Sequence, residues 1–398
     1  SPPAERVETP GSPLESGLDT IEQHFIQPLS RDQLETKALA ALVADLDPYS
    51  HYLDAAEMDL FRADLTAGFG GIGVNLDFKD ASGYPRITYL LYGGVAGAAG
   101  IGLGDRLLGI GGKDVKGQSY EQVSGALRGA VGSTVSVQVR REGVEAPLDF
   151  KLARVEIQMP SVRALRRDAS GRPDWWLDRS RKLGYARIAS LATDTAPTVD
   201  RLVAELQHGH AHGLVLDLRD CGGGLMRGAL DTADLFLARG RMLTLRQRGK
   251  DEVYDATPGK YTRLPLVLLI NAGTASSAEI LAGALADNHR ATLVGERSYG
   301  KGRIQVIYSL GEGRGGLVLS TGTFQRPNGK TIDRHDLPEG STEAGIAPDI
   351  ELKMSEAEHG AWLEFAEKTT GTLVLTPEEQ LGAPPDPVLA KAAALLSK

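Results

Sequence analysis

Cysteine is almost absent: Cys221 is the single one in 398 residues. An intramolecular disulfide is therefore excluded, and so is a zinc site built from several thiolates. No apolar run approaches the ~18 residues that a membrane-spanning helix needs; the longest lies around residues 264–270. Positive charge is in deficit, with 44 Lys and Arg against 52 Asp and Glu and a net charge of -8. That balance argues against a general nucleic-acid binder, which needs a basic face. No repeat of solenoid length is present, and 20 prolines do not make a low-complexity chain. Glycine is what abounds: 48 residues, well above the usual ~7%, which predicts many tight turns and close backbone approaches. At ~150 residues per domain the length suggests two to three domains, enough to bury a core without staples. The chain begins at Ser1 rather than Met and reads as a mature or trimmed product from which any targeting segment has gone.

Four regions follow from the patterning. Residues 1–66 combine a polar, Pro-containing start with helical spacing (Leu18, Ile21, Phe25; then Leu34, Ala38, Leu42, Leu46) broken at Asp47-Pro48. Residues 67–154 carry short strands with Gly turns and one helix near Tyr120, a compact β-rich module. Residues 155–370 alternate strands (around 213–219, 265–271 and 291–296) with helices (around 197–208, 225–238 and 277–288), an α/β grammar. Residues 371–398 read as a Pro-broken linker and a short helix.

Three loops of the α/β region carry candidate chemistry. In Ala272-Gly273-Thr274-Ala275-Ser276-Ser277-Ala278-Glu279 a serine stands at a helix N-terminus, where free amides and the dipole favour an oxyanion. Ser276-x-x-Glu279 is equally a capping box that needs no catalysis. In Tyr299-Gly300-Lys301-Gly302-Arg303-Ile304-Gln305 a lysine lies between two glycines. Buried near Ser276 its amine would lose its charge and act as a base, with Gln305 able to hold it by a hydrogen bond; otherwise it is a solvated turn lysine. Asp217-Leu218-Arg219-Asp220-Cys221-Gly222-Gly223-Gly224 offers glycine amides as an anion nest. Its spacing fits neither a dinucleotide fingerprint nor a Walker loop. Cys221 as a nucleophile, the alternating His208, His210 and His212 as metal ligands, and a Ser276–His289 pair are weaker readings of the same sequence. In the β-rich module, Gly70-Gly71-Ile72-Gly73-Val74 could present amides to a peptide carboxylate while the strand edge pairs with the peptide.

Taken in order, these segments resemble the carboxyl-terminal processing peptidases, tail-specific serine proteases of the S41 type that contain a PDZ domain. The resemblance rests on DPYS with YL (residues 47–53), the PDZ-like residues 68–154, DLRDCGGGL (217–225), TASSAEI (274–280), YGKGRIQ (299–305) and GIAPDI (345–350). Each motif is weak alone; six in sequence are specific. The resemblance implies an α/β multidomain protein: a crotonase-like α/β protease core with an inserted β-rich PDZ domain and helical N- and C-terminal segments. It implies Ser276 as nucleophile, Lys301 as general base, Gln305 as the lysine-orienting residue, and the backbone amides of Gly223 and Ser277 as oxyanion hole. It places peptide docking at Gly71, Ile72, Gly73 and Val74, with Leu107, Val123 and Leu127 as pocket walls and Arg154 as a relay of docking. It implies no metal or other cofactor, protein or peptide substrates with flexible apolar C-terminal tails cleaved near those termini, an activating adaptor or homo-oligomer as further partners, no nucleic acid, and an exported, periplasmic or cell-envelope location.

The sequence departs from the family's pattern at three places. Asp220-Cys221-Gly222 replaces N-N-P, Ser277 replaces the usual alanine, and residues 332–344 (IDRHDLPEGSTEA) are longer than the usual turn and suggest a lid or partner surface. Two other classes stay open: a peptide-holding scaffold with an inactive core, and an acyl-CoA enzyme on the same fold.

Overall fold

The computed structural model describes residues 12–55, 57–58, 68–78, 82–90, 94–158, 160–168, 172–259, 262–311, 313–338, 341–370 and 384–397. The polar start at 1–11, the linker at 371–383 and the approach to the PDZ-like region at 59–67 lie outside them. The chain forms two compact units, Ser1–Leu60 with Ile304–Gly322, and Phe61–Arg303 with Thr323–Lys398.

In the first unit, helices Pro13–His24 and Arg31–Ala44 begin at serine caps. Ser30 and Gln33 exchange capping bonds of 2.9 and 3.3 Å. Strand His51–Leu53 pairs antiparallel with residues 316–318. The DPYS stretch is a turn organised by Asp47. Its Oδ1 accepts the amides of Tyr49 (2.8 Å) and Ser50 (2.9 Å) and the hydroxyl of Ser320 (3.1 Å), and its Oδ2 accepts the Ser50 hydroxyl (2.9 Å). Burial works against the ionised form of Asp47, but these bonds outweigh it and hold its pKa below the usual carboxylate range.

The second unit begins with the β-rich module. Strands Val74–Asp77, Arg86–Leu90, Arg106–Ile110, Thr134–Arg140 and Leu148–Ala153 pair in that order, all antiparallel. Alternate residues of Thr134–Arg140 point inward, as period two requires. Val135, Val137 and Val139 join Ile87, Leu107, Ile110 and Val123 in the module's core. The strands on either side of the module, Gly68–Gly71 and Val155–Gln158, pair antiparallel with each other.

Beyond it lies a sheet whose central strands, Leu183–Ile188, Gly213–Asp217, Leu266–Ile270 and Thr292–Gly295, are parallel neighbours in that order. Ile350–Glu351 extends the same parallel edge. Gly213–Asp217 and Leu266–Ile270 are buried at every residue, the unbroken apolar pattern of strands covered on both faces. Helices Thr195–His208, Met226–Asp234 and Ser277–Asp287 supply the crossovers. The C-terminal helix Pro387–Leu396 packs on the central strands, with Val388 and Ala392 inside the same core as Val215 and Val267. A helix at Glu356–Thr370 and a hairpin of Arg241–Gln247 with Lys250–Asp255 were not foreseen from the patterning.

Candidate active site

The ends of three adjacent parallel strands deliver three loops to one place, the position where open α/β sheets build their sites. The loop after Gly213–Asp217 is anchored by charge. Asp217, fully buried, accepts the Tyr185 hydroxyl at 2.8 Å and Arg219 Nη2 at 2.6 Å. Arg219 also grips Asp386 at 3.1 and 2.7 Å and lies 4.1 Å from the Trp362 ring centre. Asp220, at φ 56°, gives its amide to Asn271 Oδ1 (2.9 Å); its carboxylate meets Asn271 Nδ2 (3.0 Å) and His359 Nε2 (2.9 Å). Gly223 then turns at φ 101° against the second loop. A Cβ there would lie 2.9 Å from the Ser276 Cβ and 3.0 Å from the Ser277 nitrogen, so no other residue fits without displacement.

The loop after Leu266–Ile270 is locked by Thr274, whose hydroxyl donates to the Leu218 carbonyl at 2.8 Å. Ser276 caps the helix Ser277–Asp287 with φ 57° and ψ -123°, a region non-glycine residues occupy only at a cost of about 1–3 kcal/mol. Its amide donates to Glu279 Oε2 at 2.9 Å, so one arm of the expected capping box is present. The remaining oxygens of that reading do more than cap a helix.

Glu279 is fully buried and binds the third loop, which follows Thr292–Gly295. Its Oε1 accepts the Ser298 hydroxyl (2.5 Å) and the Gly300 amide (2.8 Å), and its Oε2 accepts the Lys301 amide (2.9 Å). Burial pushes the Glu279 pKa above the ordinary carboxylate value, while these bonds pull against it. A second stitch, Tyr299 N–H to the Thr274 carbonyl at 2.9 Å, joins the same loops. The Ser276 and Lys301 backbones are thereby neighbours, and both side chains are half-buried. The organising part of Glu279 exceeds the cap read from the sequence. The signal was there: it is the single charged residue among SAEILAGALA, and a carboxylate inside an apolar helix must find donors.

Gln305 belongs to the first unit, where its amide donates to the Ser320 hydroxyl at 3.3 Å. Ser277 is buried and its hydroxyl finds no hydrogen-bond partner among the described residues. Cys221 is fully buried, and burial raises its thiol to about 11, which keeps it protonated and unreactive at neutral pH. His289 follows the far end of the helix that Ser276 begins, itself about 16 Å long at 1.5 Å per residue, so those two cannot pair. Among the described residues no cluster of three His, Cys, Asp or Glu is arranged for a metal.

In the β-rich module a narrow groove runs between strand Val74–Asp77 and helix Tyr120–Leu127. Gly71, Ile72, Gly73 and Val74 line one side; Tyr120, Ser124, Leu127 and Arg128 line the other. Leu107 and Val123, expected as pocket walls, are buried at 1% and 0% exposure and are not among the groove's lining; they share the module's core with Ile72 and Leu127, which do reach the groove. Arg154 caps this helix at its C-terminal end, donating to the carbonyls of Ala126 (3.0 Å) and Leu127 (2.9 Å).

Residues 182–352 match the family model of peptidase family S41, and residues 86–141 match that of the PDZ domain. The carboxy-terminal-processing protease of Bartonella bacilliformis is 32% identical over 340 residues, covering 84% of this chain and 73% of the relative. The carboxyl-terminal-processing protease of Synechocystis is 31% identical over 330 residues, covering 82% and 73%. A solved Bacteroides fragilis chain assigned to the S41 proteases shares the fold, with a TM-score of 0.50 at 16% identity over 98% of this chain and 92% of that one. With its strand-end loops, its PDZ domain and relatives aligned over most of their length, the chain belongs to the carboxyl-terminal processing proteases of peptidase family S41.

Proposed function

We propose that this peptidase is a serine endopeptidase in which Ser276 is the nucleophile and Lys301 the general base. One observation carries the reading: a single buried oxygen, Glu279 Oε2, accepts the amides of both residues. The strained backbone of Ser276 and the helix N-terminus beneath it support the assignment. In this mechanism the neutral Lys301 amine takes the Ser276 proton as Oγ attacks the scissile carbonyl. The oxyanion is received by the amides of Gly223 and Ser277. The lysine ammonium then protonates the leaving amine, and water, activated by the same lysine, releases the acyl group. The part of Gln305 in orienting Lys301 rests on its place four residues further along the YGKGRIQ motif.

The groove at Gly71, Ile72, Gly73, Val74 and Leu127 suits an extended peptide end, so we assign it the capture of apolar C-terminal tails. Arg154, holding the end of the groove helix, is the residue through which docking would be relayed. An activating adaptor, self-association and a place in the cell envelope accompany this reading by resemblance to the family.

Cleavage of an unstructured protein with an apolar tail tests it. Ser276→Ala should abolish cleavage while thermal unfolding stays unchanged. Lys301→Arg should also fail, because a guanidinium does not become a neutral base. Normal turnover by either variant would overturn the assignment.

A further inference from the structure

Within the 332–344 stretch, Ile332, Asp333 and Arg334 lie against the loop that carries Lys301. Asp333 is fully buried. Its Oδ2 accepts the Gly302 amide at 3.0 Å and its Oδ1 the His335 amide at 2.8 Å. Arg303 Nε stands 3.6 Å from the same carboxylate. The next residue, Arg334, gives its amide to the Gly300 carbonyl at 3.1 Å and spreads its guanidinium over the Tyr299 ring, 3.9 Å from the centre. The fit is close: a Cβ on Gly302 would lie 2.8 Å from the Asp333 Cβ, and one on Gly300 would lie 2.9 Å from the Ile332 carbonyl oxygen.

Glu279 holds the amides of Gly300 and Lys301; Asp333 holds the next one. We propose that Asp333 is a positioning residue for Lys301, fixing the loop together with Glu279, so that residues 332–334 are part of the base's mounting. Three consecutive amides are then tied to two buried carboxylates. Without such ties a lysine between two glycines would leave from the most mobile kind of backbone. The amine has to meet a hydroxyl at hydrogen-bond distance, and an error of about 1 Å in such a meeting costs on the order of 100-fold in rate. The inference rests on the reading of Lys301 as the base.

The test compares Asp333→Ala with Asp333→Asn in the full chain, by steady-state cleavage and by hydrogen exchange of the peptide spanning residues 299–303. Asparagine keeps a carbonyl oxygen for the Gly302 amide and gives up only the Oδ1 bond to the amide of exposed His335, which water can replace; alanine gives up both. Asp333→Ala should lower kcat on the order of 10- to 100-fold with KM changed less than about twofold, and the Gly302 amide should lose protection. Asp333→Asn should recover most of both. An unchanged kcat in Asp333→Ala, a loss confined to KM, or an asparagine variant as poor as alanine would each overturn the proposal. Lys301→Met in parallel separates the two readings: if it cleaves normally, the base assignment fails, whatever Asp333 does to the loop's protection.

Discussion

Gly223 and Ser276 touch across two loops so tightly that a single added methyl on the glycine would come within 2.9 Å of the serine's Cβ. On the proposed mechanism the Gly223 amide receives the charge that develops on an attacked carbonyl, and the close approach leaves that amide no slack. Gly223→Ala keeps the amide but cannot keep its place, since the methyl clashes with Ser276 at a left-handed φ of 101°; a displacement of about 1 Å should cost on the order of 100-fold in kcat. Circular dichroism should remain that of the parent. An active alanine variant would mean that the oxyanion is held elsewhere.

Glu279 is expected to tolerate no amide in its place. In Glu279→Gln one oxygen becomes a donor that faces the N–H groups of its present partners. Each buried donor left without an acceptor costs about 1–3 kcal/mol. The variant should unfold at lower denaturant and lose activity together, as read by urea titration and by cleavage.

The C-terminal helix is held by Asp386, which binds Arg219 twice and also caps the helix through the Leu389 amide at 2.8 Å. Asp386→Ala removes a cap and half of the buried arginine's compensation, for a loss of about 3 kcal/mol. Asp386→Asn keeps the capping oxygen and should lose less. Equilibrium unfolding of the three proteins checks the order.

Ser124 lies on the groove face of helix Tyr120–Leu127 without being part of the module's core. Ser124→Trp should fill the groove and raise KM for a substrate with an apolar tail. Turnover of a short peptide that does not reach the groove should stay the same. Equal effects on both substrates would remove the groove from the catalytic cycle.

Within the PDZ domain, Asp105 is buried beneath Arg141, which it meets at 2.8 Å through both oxygens. Burial opposes the ionised form, but the Arg141 bonds and the Gly102 amide win, and its pKa falls below the ordinary value. A lowered folded value stabilises above the unfolded pKa, near 3.9, and that stability is lost as pH falls through the folded value. Asp105→Asn should thus be less stable at neutral pH and flatter in its acid dependence below about pH 4. Thermal unfolding across that range would expose a wrong sign.

Much of the architecture was legible because periodicity and burial coincide. Gly213–Asp217 and Leu266–Ile270 read as covered strands and are so, and helix Ser277–Asp287 starts one residue after the predicted cap. The three loops were visible as glycine-rich breaks between such elements. What the sequence conceals is pairing at long range. Asp333 and Gly302 are 31 positions apart, and His359 reaches Asp220 across 139; no local pattern encodes either bond. Leu107 and Val123 show the converse difficulty, since an apolar residue that reaches a groove and one buried beneath it look alike in sequence. Glu279 lay between these cases: its burial was readable from an apolar helix, and its partners were not.

The antiparallel match of Gly68–Gly71 with Val155–Gln158 means that the PDZ domain enters and leaves through one seam. Two such strands lie about 5 Å apart. A domain whose ends meet in that way can be exchanged for another of unrelated length or shape without asking the surrounding sheet to rearrange. The PDZ part of this peptidase is thus free to diversify while the protease part stays constant.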